Sequence, residues 1–185
     1  ASGFMLYNTT NKPVGGISVK HILALLVVNR PKVLSHISGL VSRRAYNIDS
    51  IAAGPTEDPK ITRITLVVEC EEDEIQQVEN QLAKLVDVIK VTNLTQEKCV
   101  ARELALIKVR ASSEKRSDIV DICNIFRAKI VDVTREAMIV ELTGESDKIE
   151  ALFDVLKEHG IVEIVRTGTI SLARGPEAAK YVNQA

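Results

Sequence analysis

Two asparagines, a proline and a short run of backbone amides are the groups of this 185-residue chain best suited to hold a small ligand. The segment 20–54 reads as an apolar strand entering Asn29-Arg30-Pro31-Lys32-Val33-Leu34, then an amphipathic helix, then a second strand that opens on Asn47. The first N–H groups of a helix lack intrahelical acceptors and form the positive end of its dipole. Beside a sheet edge they suit a carboxylate or other small anion far better than they suit catalysis. Asn29 can cap the helix by accepting from amides two or three residues on. Pro31 presets a helical φ in the first turn, where its missing N–H is tolerated. The amides of Lys32, Val33 and Leu34 then remain as donors, with a dipole contribution of about 0.3–2 kcal/mol. The Asn47 side-chain oxygen can accept from an ammonium group, and Val33, Ile48 and Ile51 can surround a branched apolar side chain. Each residue also has a plain structural reading, Asn29 as a cap and Asn47 as a turn residue.

Other chemistry lacks its residues. No nucleophile elbow, phosphate-binding glycine loop or dinucleotide fingerprint occurs, so no catalytic residue is assigned. His21, His36 and His159 are scattered, and Cys70, Cys99 and Cys123 are odd in number and unpaired in spacing. Neither set suggests a metal site or a disulfide framework, and reduced thiols fit best. The acidic run Glu71-Glu72-Asp73-Glu74 fits the start of a helix, where negative charge is favoured. Arg43-Arg44, at a helix end, reads as a dipole contact or a partner for a carboxylate rather than a phosphate clamp.

These groups are positioned by a pattern that occurs twice. The first pass predicts a strand at 21–29, a helix burying Val33, Leu34, Ile37, Leu40 and Val41, and strands at 47–53 and 61–69. A helix presenting Ile75, Val78, Leu82 and Leu85 follows, then a strand at 88–94. The second pass predicts a strand at 103–110, a helix burying Ile119, Ile122, Cys123 and Phe126, and strands at 130–134 and 137–142. Its last helix carries Ile149, Leu152, Phe153 and Leu156 and closes near Gly160, before a strand at 162–166. A shift of 74 positions lays Ile75, Val78, Leu82 and Val88 on Ile149, Leu152, Leu156 and Val162. The fold class is α+β, two tandem ferredoxin-like βαββαβ units, each a four-stranded sheet with both helices on one face. The strands are rich in consecutive apolar residues, as when both faces are covered, so each sheet needs company from the other or from a second chain. A homodimer is the economical inference. Residues 1–19 are expected to form a flexible arm or the remnant of a leader, 20–95 and 96–175 the two domains, and 176–185 a tail.

Composition narrows the partners. Apolar residues make up 45% of the chain and the net charge is −1, which gives no single-signed field to gather nucleic acid or acidic lipid. The fold can bind RNA by stacking bases on sheet aromatics, but aromatics are 3% of the chain and the central strands 64–69 and 137–142 have none. The longest apolar run, 22–28, is too short to span a bilayer.

Several strings, in order, carry a resemblance to a known family. They are Asn29-x-Pro31-x-Val33-Leu34-Ser35, Gly39-Leu40, Arg43-Arg44-x-Tyr46-Asn47-Ile48-Asp49-Ser50 and Thr56-Glu57-Asp58-Pro59. Further on stand Lys84-Leu85-Val86-Asp87-Val88, Arg102-Glu103-Leu104-Ala105, Phe126-Arg127, Val131-Asp132-Val133, Glu141-Leu142-Thr143-Gly144, Arg166-Thr167-Gly168 and Leu172-Ala173-Arg174-Gly175. Together they make the chain resemble the small regulatory subunits of acetohydroxyacid synthase (acetolactate synthase), from Lys20 to Gly175. The resemblance implies an ACT domain followed by an ACT-like C-terminal domain. It implies a non-catalytic subunit that activates a separate thiamine-diphosphate-dependent catalytic subunit and confers feedback inhibition by valine. Thiamine diphosphate, Mg and FAD would sit on that partner, and none on this chain. Valine, or another branched-chain amino acid, would lie where two ACT domains meet, held by Asn29, Lys32, Val33 and Leu34 of one and Asn47 and Ile48 of the other. The implied setting is the cytoplasm, with a plastid or mitochondrion as the alternative. A free-standing ACT-type amino-acid sensor acting on another enzyme is the alternative function. The family usually has Gly where Lys32 and Ala45 stand; a left-handed backbone there would cost a side chain about 1–2 kcal/mol. Lys32 either pairs with the carboxylate or fills the site.

Overall fold

Both predicted repeats form, and each builds its own core. The computed structural model describes residues 18–43 and 46–176. The first unit runs β1 (Ser18–Val28), α1 (Val33–Arg43), β2 (Asn47–Pro55), β3 (Ile61–Glu71), α2 (Ile75–Ala83) and β4 (Val88–Asn93). The second runs β5 (Cys99–Arg110), α3 (Arg116–Phe126), β6 (Lys129–Val133), β7 (Ala137–Gly144), α4 (Ser146–Lys157), β8 (Ile161–Arg166) and β9 (Ile170–Ala173). Strand order is β2-β3-β1-β4 in one sheet and β6-β7-β5-β8 in the other, with antiparallel neighbours throughout. The repeat extends to irregularities of register. Bulges at Ile48/Ser50 and Leu26/Val27 recur at Ile130/Asp132 and Lys108/Val109, each 82 positions on.

Alternation along the strands explains the cores. Leu23, Leu25, Val27, Ile64, Leu66 and Val68 face Val33, Ile37 and Val41 of α1 and Val78 and Leu82 of α2, all nearly inaccessible to water. Ile107, Val109, Val140 and Leu142 meet Ile119, Ile149, Leu152 and Leu156 in the second core. Gly160 has φ +87, as expected of the residue that closes the last helix.

Two differences from the sequence reading, and one alternative it left open, matter for function. The first strand begins at Ser18, inside the segment expected to be an arm; residues 1–17, Arg44, Ala45 and 177–185 lie outside the described residues. A strand not anticipated, β9, pairs with the first four residues of β5, so that β5 is longer than the predicted 103–110. The first sheet also finds cover within the chain. Ala24, Leu26, Thr65 and Val67 point away from the helices yet are buried, and Arg63 on that face donates from Nη2 to the carbonyl of Ser171 at 2.8 Å. The matching face of the second sheet keeps Leu106 and Val165 open to solvent.

Candidate functional site

The turn before α1 departs from the expected cap. Helix α1 starts at Val33, four residues after Asn29, because Pro31 and Lys32 form a turn in which Lys32 takes φ +74. Asn29 does not cap it. Its Nδ2 donates to the Pro59 carbonyl at 3.0 Å and its backbone N–H to the Lys60 carbonyl at 2.7 Å, which pins the turn to the β2–β3 loop. The first helical bond in this turn runs from the His36 N–H to the Lys32 carbonyl, 3.0 Å. The amides of Lys32, Val33, Leu34 and Ser35 have no acceptor among the described residues, so the expected donors are present without the Asn29 cap. Val33 is buried and Leu34 is half exposed.

A side chain at φ +74 is strained, since the left-handed conformation crowds Cβ against the following carbonyl. Lys32→Gly should therefore raise the unfolding free energy by about 1 kcal/mol, read as an upward shift of the denaturant midpoint. An unchanged midpoint would mean that the lysine makes a compensating contact.

The other half of the expected site lies on β2, an edge strand. Asn47 is exposed at its first residue and donates from Nδ2 to Glu69 at 3.2 Å, while its side-chain oxygen has no donor among the described residues. Ile48 and Ile51 are half-buried and pack against the first core. Register shows how far apart the two halves are. Val28 pairs with Ile61 and Asn47 with Glu69, eight residues along the same strand. At about 3.3 Å per residue the separation is about 26 Å. One chain therefore brings Asn29, Lys32, Val33 and Leu34 together at one end of the sheet and Asn47 and Ile48 together at the other, and does not join the two groups.

Behind the bulge in β2 lies a cluster absent from the sequence reading. Asp49, the residue skipped in the ladder, meets Lys20 Nζ at 2.9 Å, and that hydrogen bond is the chief cause holding the Lys20 pKa above its usual value. Across a cleft of about 440 Å³, Arg166 makes a bidentate pair with Glu103, Nε to Oε1 at 2.8 Å and Nη2 to Oε2 at 2.7 Å. Nη2 also donates to Ser146 Oγ at 2.8 Å. Glu103 is only 5% exposed, and its hydrogen bonds are the chief cause of the raised Arg166 pKa. The signal was a lone Glu at the head of the apolar run 104–107, with a lone Arg ending the last predicted strand.

Two family descriptions match the chain in tandem, an acetohydroxyacid synthase small-subunit-like ACT domain over residues 23–90 and the small subunit of acetolactate synthase over residues 102–175. The acetolactate synthase small subunit of Bacillus subtilis is 50% identical over 167 residues, spanning 90% of this chain and 97% of that one. The chain belongs to the acetolactate synthase small-subunit family. A probable acetolactate synthase small subunit from Archaeoglobus fulgidus is 47% identical over 85% of this chain and 98% of its own length. The crystal structure of the acetolactate synthase small subunit from Thermotoga maritima superposes with a TM-score of 0.78 at 40% identity, covering 86% of this chain and 99% of that one. Within this family fold, the Arg102-Glu103 and Arg166-Thr167-Gly168 strings that carried the resemblance are contact partners, whereas the Asn29 and Asn47 strings stand at opposite ends of one sheet. No helix among the described residues is long and apolar enough to cross a membrane.

Proposed function

We propose that this acetolactate synthase small subunit is a non-catalytic regulator. It binds a separate thiamine-diphosphate-dependent catalytic subunit, raises that subunit's activity and confers inhibition by valine. Thiamine diphosphate, Mg and FAD belong to the catalytic partner in this reading. Family membership supports the subunit role, and the bacterial and archaeal relatives support a cytoplasmic setting.

The observation that carries the ligand reading is the split of the site across one sheet. Strand β2 is an outer strand whose far end, Pro55, pairs with Thr62 beside the Val28–Ile61 pair. Antiparallel pairing of β2 with β2 of a second copy would set Asn47 of one copy near Pro55 of the other. That is the end at which Asn29 and Lys32 stand, so two copies complete two identical sites. The carboxylate of a bound amino acid takes the free amides of Val33, Leu34 and Ser35. The Asn47 oxygen takes its ammonium group, and Val33 and Ile48 flank its side chain. Lys32, on its strained turn, adds a positive charge at the carboxylate end.

Calorimetric titration of the full chain with valine tests this reading. Asn29→Ala loosens the turn from Pro59 and should raise the valine dissociation constant about ten-fold, equal to about 1.4 kcal/mol. No heat with valine, leucine or isoleucine would refute the ligand assignment. Capture of a partner from native lysate that is not a thiamine-dependent synthase would favour the free-standing sensor.

A further inference from the structure

The second unit returns to touch the strand that carries Asn47 and Ile48. After β8 the segment Thr167–Thr169 crosses to β2, and at Gly168, with φ +76, an added Cβ would stand 3.2 Å from Ser50 Cβ. The next amide, Thr169 N–H, points at Ser50 Oγ at 3.4 Å. Farther along, the Ser171 carbonyl accepts from Arg63 on the first sheet at 2.8 Å. The near end of this strap is held just as firmly. Thr167 N–H donates to the Leu104 carbonyl at 3.0 Å, its hydroxyl accepts from the Leu104 N–H at 3.1 Å, and Arg166 is clamped by Glu103 and Ser146. The hydrogen bonds and close approach described here fall on Ser50 of β2 and Arg63 of its neighbour β3, and Ser50 is two residues from Ile48.

We propose that the strap, residues 166–171, is the mechanical link between the ligand site and the second unit, with Gly168 and Ser50 as its positioning residues. The inference rests on the ligand reading above. A ligand gripped by Asn47 and Ile48 fixes the start of β2. Gly168 is the point where the chain packs so tightly on β2 that an added Cβ would crowd Ser50 at 3.2 Å, so a shift of β2 is passed to the strap. Arg166, locked into the buried Glu103 pair, hands that shift to β5 and α4. The bulge at Asp49 makes this part of β2 the irregular part of its ladder. Coupling of ordinary size between such sites corresponds to a 5–150-fold change in an equilibrium.

Hydrogen exchange on the full-length chain, with and without saturating valine, tests the link. In the unaltered chain valine should slow exchange at least five-fold both in β2 and in residues 166–171. In Gly168→Ala, which crowds Ser50 and strains the backbone at φ +76, protection of β2 should persist while that of 166–171 is lost. Ser50→Ala, a smaller change that leaves the backbone undisturbed, should reduce the strap's protection part-way. Protection of β2 without protection of 166–171 in the unaltered chain would overturn the link and leave the ligand reading standing. Protection of neither segment would overturn both.

Discussion

Replacing Arg166 with alanine is expected to cost the chain about 3 kcal/mol of folding stability. The substitution strands Glu103, which is 5% exposed and takes two charge-assisted hydrogen bonds from this one guanidinium. A buried charge stripped of its partner costs about 3–5 kcal/mol; the Arg166 side chain is a third exposed, so water can enter and the low end applies. Arg166→Lys should recover only part of the loss, because an ammonium cannot present the planar fork that meets both carboxylate oxygens. Lys20→Ala makes the control. Its pair with Asp49 is short, but the lysine is half exposed, and such pairs contribute at most about 1 kcal/mol. The Lys20 pKa is raised, so what the charged lysine contributes is present throughout neutral pH and is lost as pH rises through the raised value. Urea unfolding of the three variants decides the matter. Equal losses for Arg166→Ala and Lys20→Ala would show that the Glu103 pair is not buried in solution.

An effect of similar size is expected at the centre of the first sheet. Leu25 is fully buried on the middle strand β1, where it pairs with Ile64 on one side and Val91 on the other. Leu25→Ala removes side-chain atoms from a packed interior and leaves a cavity, at a cost of about 3–5 kcal/mol. Leu25→Met, which keeps volume and apolarity, should cost less than about 1.5 kcal/mol. The sheet is what holds the turn at Asn29 and the strand start at Asn47 in fixed relation. The alanine variant should therefore lose valine binding in step with its loss of folded structure as temperature rises, followed together by calorimetry and circular dichroism. Valine binding that outlasts the melting of the first unit would remove the sheet from the account of the site.

Apolar spacing was enough to read the two units, since a helix face such as Ile149, Leu152 and Leu156 has one stable use, against its own sheet. Short-range signals that depend on three-dimensional context were not readable. Asn29 precedes a helix by the spacing of a cap, yet the left-handed turn at Lys32 delays the helix and frees the side chain for Pro59. Nothing local announces β9, which has four residues and one partner, the lengthened start of β5. The candidate site was legible as two groups of residues. That they lie at opposite ends of one sheet follows from register, which depends on pairing between distant segments. The cluster around Arg166 was carried by two strings 63 residues apart, and only folding shows that they touch.

In the proposed dimer each ligand site is shared, its amide donors from one copy and Asn47 from another. Equimolar mixing of an Asn29→Ala chain with an Asn47→Ala chain, followed by unfolding, refolding and titration with valine, tests it directly. In a mixed pair one site carries both substitutions and the other carries neither. Random pairing should restore full-affinity binding at about one in four of the sites found in the unaltered protein. No full-affinity binding in the mixture, with each variant deficient alone, would place both asparagines in the same chain's site and contradict the account.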